Sequence, residues 1–114
     1  MSKSDTVRMR HMRDAALEAR YFVSGRSRAD LEGDRLLGLG LVRLLEIVGE
    51  AARHVTEPTR QKYPNVPWLN ISDMRNRLIH GYSDIDLDIV WNAIAVHLPP
   101  LIRELELALA IEEG

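Results

Sequence analysis

The sequence predicts an all-α fold, a helical bundle of about five helices that pairs as a homodimer. Three observations predict it. Hydrophobic residues make up 46% of the chain but aromatic ones only 5%, so the core must be built of Leu, Ile, Val and Ala, which favours bundles over sandwiches. Apolar residues recur at helical spacing along most of the chain, and no segment alternates as a half-buried strand does. The 114 residues suffice for one domain, residues 1–114, whose small size leaves apolar surface that a second copy can cover.

The first helix is expected to start behind a cap at Asp5 or Thr6 and to run to about Ser24. Val7, Met12, Ala16, Ala19, Tyr21 and Phe22 form its loose apolar stripe. Ser24-Gly25-Arg26-Ser27-Arg28 breaks it. A second helix begins within Asp30–Asp34 and runs to about Thr56. Its segment Leu36–Val48 is apolar nearly all round, interrupted mainly by Arg43 and Glu46, so it must be covered on more than one side, with a second subunit covering the surplus. Glu57-Pro58 restarts a short helical turn that Tyr63-Pro64 stops. A loop punctuated by proline follows, anchored by Trp68. The fourth helix is predicted over Trp68–His80 with Gly81 at its C-terminal cap. Asp86 caps a fifth over Leu87–Leu98, Pro99-Pro100 kinks or interrupts it, and Leu101, Leu105, Ala108 and Leu109 carry an amphipathic face to the end.

Composition also excludes. With no cysteine, disulfides, thiol catalysis and zinc–thiolate sites are ruled out together. The stretch from Met1 to Arg13 is basic and lacks the apolar core of a secretory signal. No run reaches the roughly 18 apolar residues of a membrane span. A cytoplasmic protein without membrane association is therefore expected. Net charge is −2, but residues 1–77 hold 14 Lys and Arg against 10 acids, while residues 78–114 hold Arg103 against seven acids. Thirteen of the fifteen basic residues are Arg, which suits fork-like phosphate contacts and equally suits the codon bias of a GC-rich genome.

One cluster carries chemistry. Arg75-Asn76-Arg77-Leu78-Ile79-His80-Gly81-Tyr82 gathers two guanidiniums, an amide, an imidazole and a phenol. Cleavage of an RNA phosphodiester needs such groups. A base takes the ribose 2′-OH proton, an acid protonates the leaving 5′-oxygen, and a cation stabilises the phosphorane between them. The nucleophile is internal to the substrate, so no metal or cofactor is required. A helix C-terminus would favour the imidazolium of His80. On an ideal helix Arg75 and His80 lie about 140° apart. Arg75 then shares the inward face of Ile71, Met74 and Leu78. A compact site is therefore expected only where two copies meet, one histidine acting as acid and one as base. The same residues also admit a packing role, with His80 on the last helical carbonyls and Arg75 on a buried carboxylate.

The chain resembles the HEPN superfamily and, within it, the HepT-like toxins of type VII toxin–antitoxin pairs. The resemblance rests on Arg75-x4-His80-x-Tyr82 and on its flanks. Leu45-Glu46-Ile47-Val48-Gly49-Glu50-Ala51-Ala52 is similar to the family's second-helix segment. Pro67-Trp68 with the block from Met74 to Tyr82 is similar to its motif helix, and Asp86–Trp91 with Leu98-Pro99-Pro100-Leu101 to its closing part. The match spans about residues 8–110 and is poorest over Ser24–Gly38. It implies a dimeric HEPN bundle acting as a ribonuclease, with Arg75 and His80 as the catalytic pair assisted by Asn76, and Arg77 on the substrate. It also implies a minimal nucleotidyltransferase antitoxin (MntA-like) that transfers AMP onto Tyr82.

Glu50, mid-helix in apolar surroundings, is expected to pair with an Arg of the fourth helix in a structural role. Trp68 and Trp91 are expected as core anchors. His11, His54 and His97 have no metal-ligand spacing and are expected as surface or packing residues. Two other classes compete with a toxin ribonuclease. One is a non-catalytic HEPN module that binds nucleotide or serves as partner subunit of a minimal nucleotidyltransferase; the other is a structural dimerisation domain.

Overall fold

The computed structural model describes residues 1–80 and 84–114, and of His80 the backbone only. The cap expected at Gly81 and the residue Tyr82 lie outside the described residues. The chain is all-α. It comprises α1 (Lys3–Val23), a 3-10 turn (Arg28–Leu31), α2 (Arg35–His54), α3 (Glu57–Lys62), α4 (Trp68–Leu78), α5 (Leu87–Asn92), a π turn (Ala93–His97) and α6 (Leu98–Glu113). Because α5, the π turn and α6 follow without a gap, the described residues form five helical segments. Helix α1 packs against both α2 and α6, and α2 packs against α4. No helix among the described residues is long and apolar enough to cross a membrane.

The core sits where α1, α2, α4 and α6 meet, with Met9, Met12, Leu41, Leu45, Val48, Leu78 and Leu105 fully buried. Helix α1 departs from its expected stripe: Met9, Met12, Ala15, Ala16, Ala19 and Val23 face inward, whereas Tyr21 is 74% exposed. Helix α2 is covered on two sides by α1 and α4, and Leu36 and Leu39 near its start remain exposed.

The cap of α1 is Ser2, whose Oγ accepts from the Asp5 N–H at 3.1 Å, rather than Asp5 or Thr6. Asp5 is used elsewhere. Fully buried, it accepts from the N–H of Thr56 at 3.1 Å and from the hydroxyls of Thr56 and Thr59. It thereby supplies the start of α3 with an acceptor from another helix. Burial alone would push its carboxyl up, but the hydrogen bonds from Thr56, Thr59 and Ser2 outweigh this and hold it below the ordinary value. Between α1 and α2, Gly25 takes φ +76, the left-handed conformation glycine permits. Arg28 ties the 3-10 turn to α5 by reaching Asp88 at 2.8 Å and Glu32 at 2.9 Å. Helix α2 starts after Asp34, whose side chain accepts from the Leu37 N–H at 3.0 Å.

Helix α4 stops at Leu78, not His80. Ile79 is extended (φ −127, ψ 131), and Ile79–His80 (β1) pair antiparallel with Asp84–Ile85 (β2), Ile79 opposite Ile85 and His80 opposite Asp84. The Leu78 carbonyl accepts from the Asp86 N–H at 2.8 Å, so a tertiary partner replaces the next helical bond. A ladder this short leaves no alternating pattern to read. Asp86 caps α5 as expected, accepting from the Ile89 N–H.

The Pro99-Pro100 pair does not interrupt the last helical run. Neither proline can donate, and each ring crowds the carbonyl four residues back. The π turn widens the helix just before them, with the Leu98 N–H reaching Ala93. Arg20 of α1 donates to the Ile94 carbonyl at 3.3 Å, which links α1 to that widened turn.

Candidate active site on helix α4

Arg75, Asn76 and Arg77 occupy the last turn of α4 and are all exposed. Successive helical residues diverge by about 100°, so the three point different ways. Arg75 leaves α4 on the face of Ile71 and Leu78, with its Cβ toward Gly49 of α2, but its side chain is 39% exposed and ends on Glu50 at the surface. Arg77 instead lines a cleft of about 910 Å³ between α4 and the π turn, with Trp91, Asn92 and His97 among its walls. Arg75 and Arg77 therefore serve separate surfaces. His80 lies beyond the helix in β1, so the separation from Arg75 expected of an ideal helix does not apply.

The partner of Arg75 is Glu50 of α2, whose Oε2 accepts from Nη1 of the arginine. The other carboxylate oxygen faces Nε2 of His54 at 2.9 Å, one helical turn on. A carboxylate can only accept, so that nitrogen carries the proton. The His54 hydrogen bond first, and then the charges of Arg75 and Arg53, hold the Glu50 carboxyl below its ordinary value. The result is an exposed Arg75–Glu50–His54 chain running from α4 across α2.

Its geometry depends on Gly49. A Cβ at this position would stand 3.0 Å from the carbonyl oxygen of Ile71 and 3.9 Å from Cβ of Arg75. A Cβ there would crowd the Ile71 carbonyl, so glycine favours the close approach of α2 and α4. Trp68 anchors the other end of α4: it is 7% exposed, donates from Nε1 to the Tyr63 carbonyl at 3.0 Å, and lies under the guanidinium of Arg60. Trp91 is partly buried against the core.

Sequence reasoning scatters the histidines, and the structure does not. His11 of α1 and His54 of α2 line one groove together with Arg8, Arg43 and Glu50. The signal was present as spacing: His54 follows Glu50 by four residues, one helical turn. His97 is apart, 3.3 Å from Asn92 across the π turn.

The bundle, with Arg75 in the last turn of its fourth helix and His80 in the strand beyond it, fits the class that comparison with known families gives, the HEPN-type ribonucleases. The chain belongs to the ribonuclease HepT-like family, whose description matches residues 12–108. It is 36% identical over 74 residues to a candidate RNase of Methanocaldococcus jannaschii, covering 65% of this chain and 68% of that protein. It is 37% identical over 84 residues to a candidate RNase of Caldanaerobacter subterraneus subsp. tengcongensis, covering 74% and 75%. A protein of Thermococcus cleftensis named as a probable ribonuclease HepT is 31% identical over 68 residues, covering 60% of this chain and 62% of its own length. No solved structure matches the chain.

Proposed function

We propose that the protein is a metal-independent endoribonuclease, the toxin of a toxin–antitoxin pair, that cleaves RNA by attack of the ribose 2′-oxygen on the adjacent phosphorus. The observation that carries this reading is Arg75, exposed and held by Glu50 in the last turn of α4, just ahead of the β1 segment that contains His80. The 2′-oxygen forms its bond to phosphorus as its proton passes to one histidine, and the P–O5′ bond breaks as a second histidine protonates the leaving oxygen. The products are a 2′,3′-cyclic phosphate and a free 5′-hydroxyl. Arg75 stabilises the phosphorane charge, Asn76 assists as a neutral donor and Arg77 binds the substrate. One His80 per chain makes the active unit a homodimer, with each copy contributing one histidine.

Regulation follows from Tyr82. AMP carried on its phenol oxygen, two residues from His80, would place an anionic phosphate where the substrate phosphate belongs. The minimal nucleotidyltransferase antitoxin is the partner that would add it. Incubation of the purified protein with RNA in EDTA, beside His80→Ala and Arg75→Ala, tests the nuclease. Cleavage is expected for wild type alone, and cleavage that persists in His80→Ala removes the mechanism.

A further inference from the structure

Outside the α4 site, the first half of α1 and the second half of α2 enclose a groove of about 620 Å³, within the roughly 300–1,000 Å³ range of ligand sites. Resting on the ribonuclease reading above, we propose that this groove holds the RNA strand flanking the scissile phosphate and leads it to Arg75.

The placement of its residues follows from helical spacing. Lys3, Val7, Arg8 and His11 share one face of α1, and Arg43, Ile47, Glu50, Ala51 and His54 share one face of α2. Opposed across the groove, they put basic or imidazole groups along both rims over an apolar floor of Val7, Ile47 and Ala51. From Arg43 to His54 the rim extends roughly 16 Å at 1.5 Å per residue. Lys3 and Arg43 make no ion pair among the described residues, so their charge is available to a ligand. Arg8 is already fixed, donating to the His54 carbonyl at 3.0 Å.

Glu50 is the one carboxylate among the lining residues, and it is engaged by Arg75 and His54. It marks the junction of the groove with the α4 site, so a polyanion lying in the groove ends at the guanidinium that faces the reacting phosphate. This continuity favours an RNA strand over an acidic protein segment. Among the described residues no Phe, Tyr or Trp lines the groove, so binding should depend chiefly on phosphate charge and tolerate changes of base.

The test is fluorescence anisotropy of the full-length protein with a labelled short RNA whose 2′-oxygens are methylated, which binds without being cut. Arg43→Glu is expected to weaken binding tenfold or more. It should also shallow the dependence of log affinity on log salt by about 0.7 for each phosphate no longer neutralised. The same reversal at Arg103 on α6, outside the groove, is expected to have a smaller effect. With cleavable RNA, Arg43→Glu should raise KM and spare kcat. Equal losses in the two variants overturn the proposal, as does a poly-glutamate peptide that binds the groove as tightly as the RNA. If wild type binds the methylated RNA through Arg43 yet cuts no RNA, the nuclease reading fails and the groove stands. If wild type cuts RNA and Arg43→Glu changes neither binding nor KM, the groove fails alone.

Discussion

Gly49 and Ile71 are in contact through backbone alone: a Cβ added to Gly49 would lie 3.0 Å from the Ile71 carbonyl oxygen. The neighbour is main chain of a packed helix and cannot swing aside. Everything exposed at this crossing, including the Glu50–Arg75 pair, depends on how closely α2 and α4 approach.

Gly49→Ala should therefore destabilise the fold despite the higher helix propensity of alanine. An overpacked contact of this kind costs about 1–3 kcal/mol, against roughly 1 kcal/mol gained from propensity. Gly49→Val adds a branched side chain and should cost more. Urea denaturation checks both. Midpoints equal to wild type for the pair would show that the helices have room to separate.

Glu50 holds the Arg75 guanidinium; on the proposed mechanism Glu50→Gln should therefore lower kcat about tenfold to a hundredfold, the scale of a small misplacement of a reacting group. KM for RNA should change less. Because the folded carboxyl lies below its ordinary value of 4.5, the ion pair is fully present above that value and is lost only as pH falls through the lower folded value. The pH profile of wild type between about 5 and 8 should consequently carry no contribution from Glu50. A profile in Glu50→Gln whose acid limb moves within that range contradicts this assignment.

Asp5→Ala should loosen the junction of α1 with α3. The buried carboxylate serves the Thr56 N–H and the hydroxyls of Thr56 and Thr59, and hydrogen bonds to a charged group contribute about 1.5–3 kcal/mol. Its folded pKa is depressed, so this stability is present above the unfolded value near 3.8 and disappears as pH falls through the folded one. Thermal melts of wild type and Asp5→Ala should converge in strong acid and diverge near neutrality. A constant difference at all pH values would mean that the charge is irrelevant.

On the proposed regulation, intact mass after co-expression with a neighbouring minimal nucleotidyltransferase should show an AMP-sized addition that Tyr82→Phe abolishes. The modified protein should no longer cut RNA. An adduct that persists in Tyr82→Phe places the modification elsewhere.

The helices were legible in the sequence because their periodicity is local. The apolar spacing of α2 and α6, the cap at Asp86 and the proline-bounded α3 follow from residues within a turn or two of one another. The expected partnership of Glu50 with an arginine of the fourth helix holds for Arg75, but as an exposed pair brought together by the crossing of α2 and α4 rather than one forced by burial. Helix ends were less legible. Asp5 reads as an N-cap from its neighbours, yet its acceptor atoms go to Thr56 and Thr59, more than fifty residues away. Likewise α4 ends early where the Leu78 carbonyl accepts from the Asp86 backbone N–H instead of continuing the helix.

The polar segment that begins in the last turn of α4 is visible in the sequence with its functional groups: two guanidiniums, an amide, an imidazole and a phenol within eight residues. Covalent order settles which groups are near one another along a chain. Only the tertiary structure decided that Arg75 turns outward to Glu50 while Arg77 lines a separate cleft, and that His11 and His54 share a groove. Those relations depend on the crossing of α2 over α4 at Gly49 and on the pairing of α1 with α2. Such packing joins positions tens of residues apart, and no local spacing encodes the distance between them.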